Sequence, residues 1–256
     1  MTFSGYEIAS LDLGNSTCRM GLYGNGQITQ ERLVDTETFI AEPNSLIGEY
    51  SALPPTIAYC SVSPRAEAAL KDWARASGTE LFNLNARTCG DFPITYPHPD
   101  EIGQDRIANS LAAHRTSELP ALVIDIGTAT TFDVVGEKEG YAGGVIAPGP
   151  QGFLDFLHQN TALLPQVTMN EKKPDCAIGT NTTDAMLLGA HLGFSPMVIG
   201  ILNHLETEMT RTHGKEPKII LAGGASHHLE IPGGENRPFL TLEGVALAFA
   251  QNNVVI

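Results

Sequence analysis

Leu11-Asp-Leu-Gly-Asn-Ser16 and Ile124-Asp-Ile-Gly-Thr-Ala-Thr130 decide the reading of this chain, because the second stretch echoes the first. Each carries Asp-x-Gly at the end of an apolar run, with the aspartates at Asp12 and Asp125. Each leads into a second apolar run, Met20-Gly-Leu-Tyr23 or Phe132-Asp-Val-Val135, that ends on Gly24 or Gly136. Strand, tight turn, strand is therefore expected twice. Glycine after the aspartate lets the backbone bend sharply and approach a ligand closely. The amides and hydroxyls that follow can donate to phosphate oxygens. An aspartate at a strand end can hold a cation or its water shell. One such turn would read as a plain hairpin. Two copies after apolar strands point to a phosphate clamp on duplicated α/β domains, divided near Glu118-Leu-Pro120 into residues 1–118 and 119–256.

The segments around the echo fit that layout. Ala66, Ala69, Leu70, Trp73 and Ala74 fall at helical spacing after Ser63-Pro64, a helix-start signal. Ile107, Ala108, Leu111 and Ala112 mark one face of a helix from Asp105 to His114. Residues 182 to about 209 read as helix, with Ser195-Pro196 expected to break or restart it. Lys218-Ile-Ile-Leu-Ala222 reads as a strand closed by Gly223-Gly224. Two stretches, 170–176 and 231–238, read as surface loops, and His227-His228 as a solvated pair.

Composition narrows the chemistry. The 256 residues hold 15 Lys+Arg against 29 Asp+Glu, a net charge of −14. That balance disfavours nucleic acid, which needs clustered basic residues, and an anionic membrane surface. No apolar run near 18 residues is visible in the sequence, so no membrane span is expected. The first basic residue is Arg19, so no secretory leader is expected either. Cys18, Cys60, Cys89 and Cys176 form no CxxC pair and read as reduced thiols of a cytoplasmic protein. No GxxxxGK[ST], GxGxxG or GxSxG pattern is present, which disfavours P-loop, dinucleotide and α/β-hydrolase chemistry. The doubled Asp-Gly clamp with a later Gly-Gly turn suits a nucleotide.

At this point the chain resembles the type III pantothenate kinases, within the acetate/sugar kinase, Hsc70 and actin superfamily. Asp12-Leu-Gly-Asn-Ser-Thr-Cys-Arg19 is similar to that family's DxGNTxxK/R phosphate motif. Ser61-Val-Ser-Pro64 is close to its SVVP, and Tyr96-Pro-His-Pro-Asp-Glu-Ile-Gly-Gln-Asp-Arg106 resembles its YxNPxxLGxDR. Asp125-Ile-Gly-Thr-Ala-Thr-Thr-Phe-Asp133 and Gly143-Gly-Val-Ile-Ala-Pro-Gly149 are similar to DxGTATTxD and GGxIxPG. Thr161-Ala-Leu-Leu-Pro165, Ile178-Gly-Thr-Asn-Thr182 and Leu221-Ala-Gly-Gly224 extend the match. Ser16, Ser63 and His98 depart from the usual Thr, Val and Asn. Ser16 keeps the hydroxyl, whereas His98 bears on contacts around the acceptor.

The resemblance implies two duplicated ribonuclease H-like (actin-like ATPase) domains, each a mixed sheet flanked by helices. It implies ATP-dependent phosphorylation of pantothenate to 4'-phosphopantothenate, the first step toward coenzyme A. Asp105 would be the base; without the surrounding Gly103-x-Asp-Arg106 match, the same residue would read as a plain helix N-cap. Asp12, Leu13, Gly14, Asn15, Ser16, Thr17, Cys18 and Arg19 would cradle ATP, with Thr128 as a further donor. Tyr96, Gly103, Gln104, Asp105, Arg106 and Thr182 would hold pantothenate, Arg106 on its carboxylate and Thr182 from the partner subunit of a homodimer. Asp125 would bind a monovalent cation, K+ or NH4+, and Mg2+ would accompany ATP. The alternatives are another small-molecule kinase or phosphatase of the superfamily, and a regulatory accessory factor.

Overall fold

The computed structural model describes residues 8–50, 53–169, 173–226, 229 and 231–253. In chain order the elements are β1 (Ile8–Leu13), β2 (Thr17–Gly24), β3 (Gln27–Asp35), α1 (Thr36–Ala41), α2 (Asn44–Ile47), β4 (Thr56–Ser61), α3 (Pro64–Ser77), β5 (Glu80–Asn83), a 3-10 turn (Pro99–Glu101) and α4 (Gln104–Thr116). There follow β6 (Ala121–Ile126), β7 (Ala129–Gly136), β8 (Gly140–Pro148), α5 (Pro150–Asn160), α6 (Thr182–His213), β9 (Lys218–Ala222), β10 (Glu235–Asn236) and α7 (Leu240–Asn253).

The repeat seen in the sequence is a repeat of topology. One five-stranded sheet runs β3-β2-β1-β4-β5 and the other β8-β7-β6-β9-β10. In the first, β1 pairs antiparallel with β2 and parallel with β4. In the second, β6 pairs parallel with β9, as β1 does with β4. Asp12 and Asp125 hold the same place, next to last in the first strand of each sheet.

The chain forms two compact units, Met1–Leu119 with Val135–Gly143 and Phe239–Ile256, and Pro120–Val134 with Gly144–Pro238. The expected division at 118/119 lies beside the end of the first long run, but the chain returns twice to the first unit. The reason for the second return is α7. Its apolar residues Val245, Ala246 and Ala248 are buried with Ile107, Ala108 and Leu111 of α4.

In the first unit both faces of the sheet are covered, and strand alternation sorts the residues. Ala9, Leu11, Leu13, Ile57 and Tyr59 pack with Phe39, Leu46, Ala66 and Leu70 from α1 to α3. Ile8, Ala58 and Cys60 pack on the opposite face with α4 and α7. Asp12, one residue from Leu11 and from Leu13, belongs to that second face. In the second unit Leu122, Ile124, Ile126 and Phe132 pack with Phe194, Val198 and Leu202 of α6.

Three expectations are corrected. Helix α6 does not break at Ser195-Pro196 but runs unbroken for 32 residues with Pro196 inside. Proline removes the donor for the carbonyl four residues back. That residue, Leu192, is 55% exposed, so water can serve its carbonyl on the open side of the helix. Uninterrupted, α6 is long and apolar enough by length and composition to cross a membrane, against the expectation of no such segment. Its buried residues, Met186, Leu187, Phe194 and Val198 among them, contribute to the core of the second unit. The stretch 231–238, expected as loop, contributes the short strand β10 beside β9. His227-His228 and residues 170–172 lie outside the described residues.

Candidate active site

The first unit gathers most of the expected site on the α4 face of its sheet. Asp12 is the register partner of Arg19 on β2 and of Cys60 on β4. Directly paired residues project on the same side, so Arg19, Asp12 and Cys60 form one row across three strands. The Cys60 thiol donates to Asp12 Oδ1 at 3.4 Å. Arg19 Nε lies 3.2 Å from Glu31 Oε1, an ion pair beside that row.

The turn after Asp12 is pinned from outside. The Gly14 N–H donates to the Thr17 carbonyl at 3.0 Å, and Thr36 N–H donates to the Ser16 carbonyl at 3.0 Å. Thr36 Oγ1 donates to the Gly14 carbonyl at 2.9 Å. Asn15, Ser16 and Thr17 are exposed at the tip, whereas Leu13 and Cys18 are buried. Leu13 and Cys18 can therefore offer a nucleotide only backbone atoms. Burial pushes the Cys18 thiol up to about 11, with Asp12 adding to the rise against the opposing Thr36 hydroxyl contact.

Asp105 stands in the first turn of α4, whose N-cap is Gly103. Its Oδ1 accepts the Arg106 N–H at 2.8 Å. The carboxylate folds back so closely that a Cβ on Gly103 would lie 2.5 Å from Oδ1. Only glycine leaves that space. Burial raises the Asp105 carboxyl above its ordinary value, opposed by the Arg106 N–H and the Arg106 charge. Burial raises the Cys60 thiol well above its ordinary value, and the negative charges of Asp12 and Asp105 add to it. Cys60 thus stays a neutral thiol within the field of both carboxylates.

Arg106 and Tyr96 meet on one ring. The Arg106 guanidinium carbon lies 5.6 Å from the centre of Tyr141, in cation–π geometry. Tyr96 packs edge-on to the same ring, centroids 5.9 Å apart. Tyr141 is almost completely buried. Gln104 Oε1 accepts the Ser61 N–H and an Asn83 Nδ2 hydrogen, each at 2.8 Å. His98 is exposed, at the start of the 3-10 turn before Gly103.

The second unit holds the other expected residues. Asp125 is next to last in β6, just before the turn Gly127-Thr128, where Gly127 N–H donates to the Ala129 carbonyl. Thr128 is exposed at the tip and its carbonyl accepts the Gly149 N–H at 3.1 Å. Gly223 has φ +87° and lies so close to Asp125 that a Cβ there would collide with Asp125 Oδ1 and the Ile126 carbonyl. Thr182 is the first residue of α6 and is exposed. It is not the cap: Asn181 is, with its side chain accepting the Asp184 N–H. Among the described residues no three His, Cys, Asp or Glu side chains are arranged to hold a metal ion. Asp125 therefore has no cage of three such side chains around it among the described residues.

Sequence reasoning missed Cys60, Asn83 and Tyr141. Cys60 carried a usable signal, since it immediately precedes Ser61-Val-Ser-Pro64 in a motif already singled out. Tyr141 likewise stands just before Gly143-Gly144.

A sequence model of the type III pantothenate kinase family matches residues 9–204. The chain is similar to a type III pantothenate kinase of Akkermansia muciniphila, 39% identical over 198 residues, covering 75% of this chain and 77% of the relative. A second type III pantothenate kinase, from Geotalea uraniireducens, is 30% identical over 256 residues, covering 94% of this chain and 97% of the relative. Among solved structures, the inorganic polyphosphate/ATP-glucomannokinase of Arthrobacter sp. strain KM matches with a TM-score of 0.53 over 97% of this chain and 100% of its own. At 14% identity that likeness speaks for the fold alone.

Proposed function

The chain belongs to the type III pantothenate kinase family, and from that premise we propose how its own residues divide the work of phosphorylating pantothenate with ATP. The observation that carries the reading is Asp105. It is a half-buried carboxylate on a helix N-terminus, beside the Cys60–Asp12 pair, with Arg106 directly after it.

Asp105 accepts the hydrogen bond of the pantothenate primary hydroxyl. As that oxygen bonds to the γ-phosphorus and the bond to the ADP oxygen breaks, the proton passes to Asp105. Such a positioned base contributes roughly 10²–10⁴-fold. Burial brings its pKa up toward the working pH, and the helix N-terminus keeps the anion accessible. Asp12 and the 14–19 turn offer the phosphates exposed hydroxyls and amides, and Thr128 is a further candidate donor. Arg106, steadied on Tyr141, takes the pantothenate carboxylate by its planar fork. Tyr96 and Gly103 border the same acceptor, and Thr182 adds a contact from the partner subunit of a homodimer. Asp125 would hold K+ or NH4+. Magnesium carried on ATP would supply charge neutralisation at the phosphates. The enzyme works in the cytoplasm.

A coupled ADP-release assay with pantothenate, run with and without potassium, tests this reading. Turnover that needs both pantothenate and the monovalent ion is expected. Phosphate release without any acceptor would overturn it in favour of a phosphatase.

A further inference from the structure

Asp105 can act as a base only if the first turn of α4 is held still, and its usual anchor is missing. Gly103 is the N-cap and makes no side-chain cap. The adjoining strand edge has a deficit of its own. The Val62 N–H donates to the Leu13 carbonyl of β1. Successive strand amides point to opposite sides, so the Ser61 N–H points toward β5. The last β4–β5 register pair is Tyr59 with Asn83, so β5 has no further residue to receive it. A backbone donor left there without a partner would be destabilising.

Gln104 answers both needs. Its Oε1 accepts that Ser61 N–H at 2.8 Å. The same oxygen accepts Asn83 Nδ2 at 2.8 Å, while Gln104 Nε2 donates to Asn83 Oδ1 at 3.3 Å. Asn83 is held in turn: its Oδ1 accepts Asn85 Nδ2 at 2.9 Å and its carbonyl accepts Thr88 Oγ1 at 2.6 Å. The helix end is therefore bolted to the ends of two strands through a reciprocal amide pair. From this geometry we infer that Gln104 is a positioning residue for Asp105, acting through the Ser61–Asn83 bridge rather than by touching the acceptor. The inference rests on the assignment of Asp105 as the base.

Gln104→Met keeps the length of the side chain and removes its hydrogen bonds. Small displacements of a reacting group can cost about 10²-fold in rate. The expected result is a kcat at least about tenfold lower, with KM for pantothenate and for ATP within about twofold of wild type. Asn83→Ala should act in the same direction, and the double variant should be no worse than the worse single one, because both break one bridge. Hydrogen exchange should quicken at Ser61 and in the first turn of α4, a readout independent of turnover. If Gln104→Met folds poorly, Asn83→Ala alone carries the same two readouts.

A rise in KM for pantothenate with kcat intact would overturn the inference and make Gln104 a direct contact. Unchanged kinetics with a lowered Tm, or unchanged exchange at Ser61, would also overturn it. Failure of the wild type to phosphorylate pantothenate would instead strike the functional reading, and the exchange data would still decide whether Gln104 anchors the helix.

Discussion

Cys60 Sγ donates to Asp12 Oδ1 across 3.4 Å, and the two residues are exact register partners on parallel strands β4 and β1. The pairing places a neutral, buried thiol against a candidate site carboxylate. A hydrogen bond to the charged form orients that carboxylate without adding a second charge.

Thiol reactivity follows from this burial. Cys18, Cys60 and Cys89 are buried and their thiols are raised, chiefly by burial, whereas Cys176 is exposed. The thiolate is the reactive species. A colorimetric thiol titration of the native protein at pH 8 should show one fast group, removed by Cys176→Ser. The remaining three should appear only in denaturant. A second fast thiol that maps to Cys60 would contradict the closed Asp12 contact.

Asp105→Asn should separate activity from stability. Turnover should fall by roughly 10²–10⁴-fold while ATP binding persists. The Asn oxygen can still accept the Arg106 N–H, and no buried charge remains. The folded pKa of Asp105 is raised, so between its ordinary value of 3.8 and the folded value the native state binds more protons than the unfolded state. Its contribution to stability is thus present at low pH and lost as pH rises through that window. At pH 7 the variant should melt no lower than wild type. For kcat the sign is opposite: activity should fall as pH drops through the raised value, at higher pH than an ordinary aspartate would give. A variant that keeps more than about a tenth of kcat would remove Asp105 from the role of base.

Two glycines should fail for different reasons. Gly103 has φ −54°, a value alanine adopts freely. Gly103→Ala should therefore leave the fold intact yet lower kcat, because its Cβ would press on Asp105 Oδ1 from 2.5 Å. Gly223 has φ +87°, so Gly223→Ala strains the backbone by about 1–3 kcal/mol besides colliding with Asp125. Thermal melts should show a clear loss for Gly223→Ala and little change for Gly103→Ala.

The Tyr141 ring should matter to the acceptor and not to ATP. Cation–π support is worth about 0.5–2 kcal/mol, or roughly 2- to 30-fold in affinity. Tyr141→Leu should raise KM for pantothenate within that range with KM for ATP little changed. Tyr141→Phe, which keeps the ring, should stay near wild type. Arg106→Ala should raise KM for pantothenate further still. Equal increases for both substrates would place Arg106 outside the carboxylate clamp.

Salt dependence follows from the net charge of −14. ATP and pantothenate are anions, so the overall field does not draw them in, and binding depends on local donors and cations. Raising an inert salt should weaken ATP binding only shallowly, measured by calorimetry at constant potassium. A steep loss would reveal a basic steering patch.

The candidate site aspartates were readable because each sits in a short contiguous motif. Asp12 and Asp125 follow strand patterns, and Asp105 opens an amphipathic stretch. Asn83, Cys60 and Tyr141 were not readable in the same way. Asn83 and Gln104 meet across the sheet edge, Cys60 meets Asp12 through strand register, and Tyr141 meets Arg106 only once the β7–β8 hairpin turns back. Helix α7 gave no hint of its unit, because it is apolar on most sides and so carries little facial signal.

The two strand–turn–strand units, the two Asp-x-Gly turns and the family could be read from the chain itself, since local hydrophobic period and glycine placement specify strands and turns over a few residues. Tertiary structure alone decided that α6 runs through Pro196, that α7 returns to the first unit, and that Gln104 binds strand ends. Each of those depends on which partner lies across a gap of many residues, and packing and hydrogen-bond satisfaction settle that only when the whole chain is folded. The two Asp-x-Gly copies mark the turns proposed to hold phosphate and cation. The register that sets Cys60 against Asp12 and the bridge that holds α4 beside them arise from the fold.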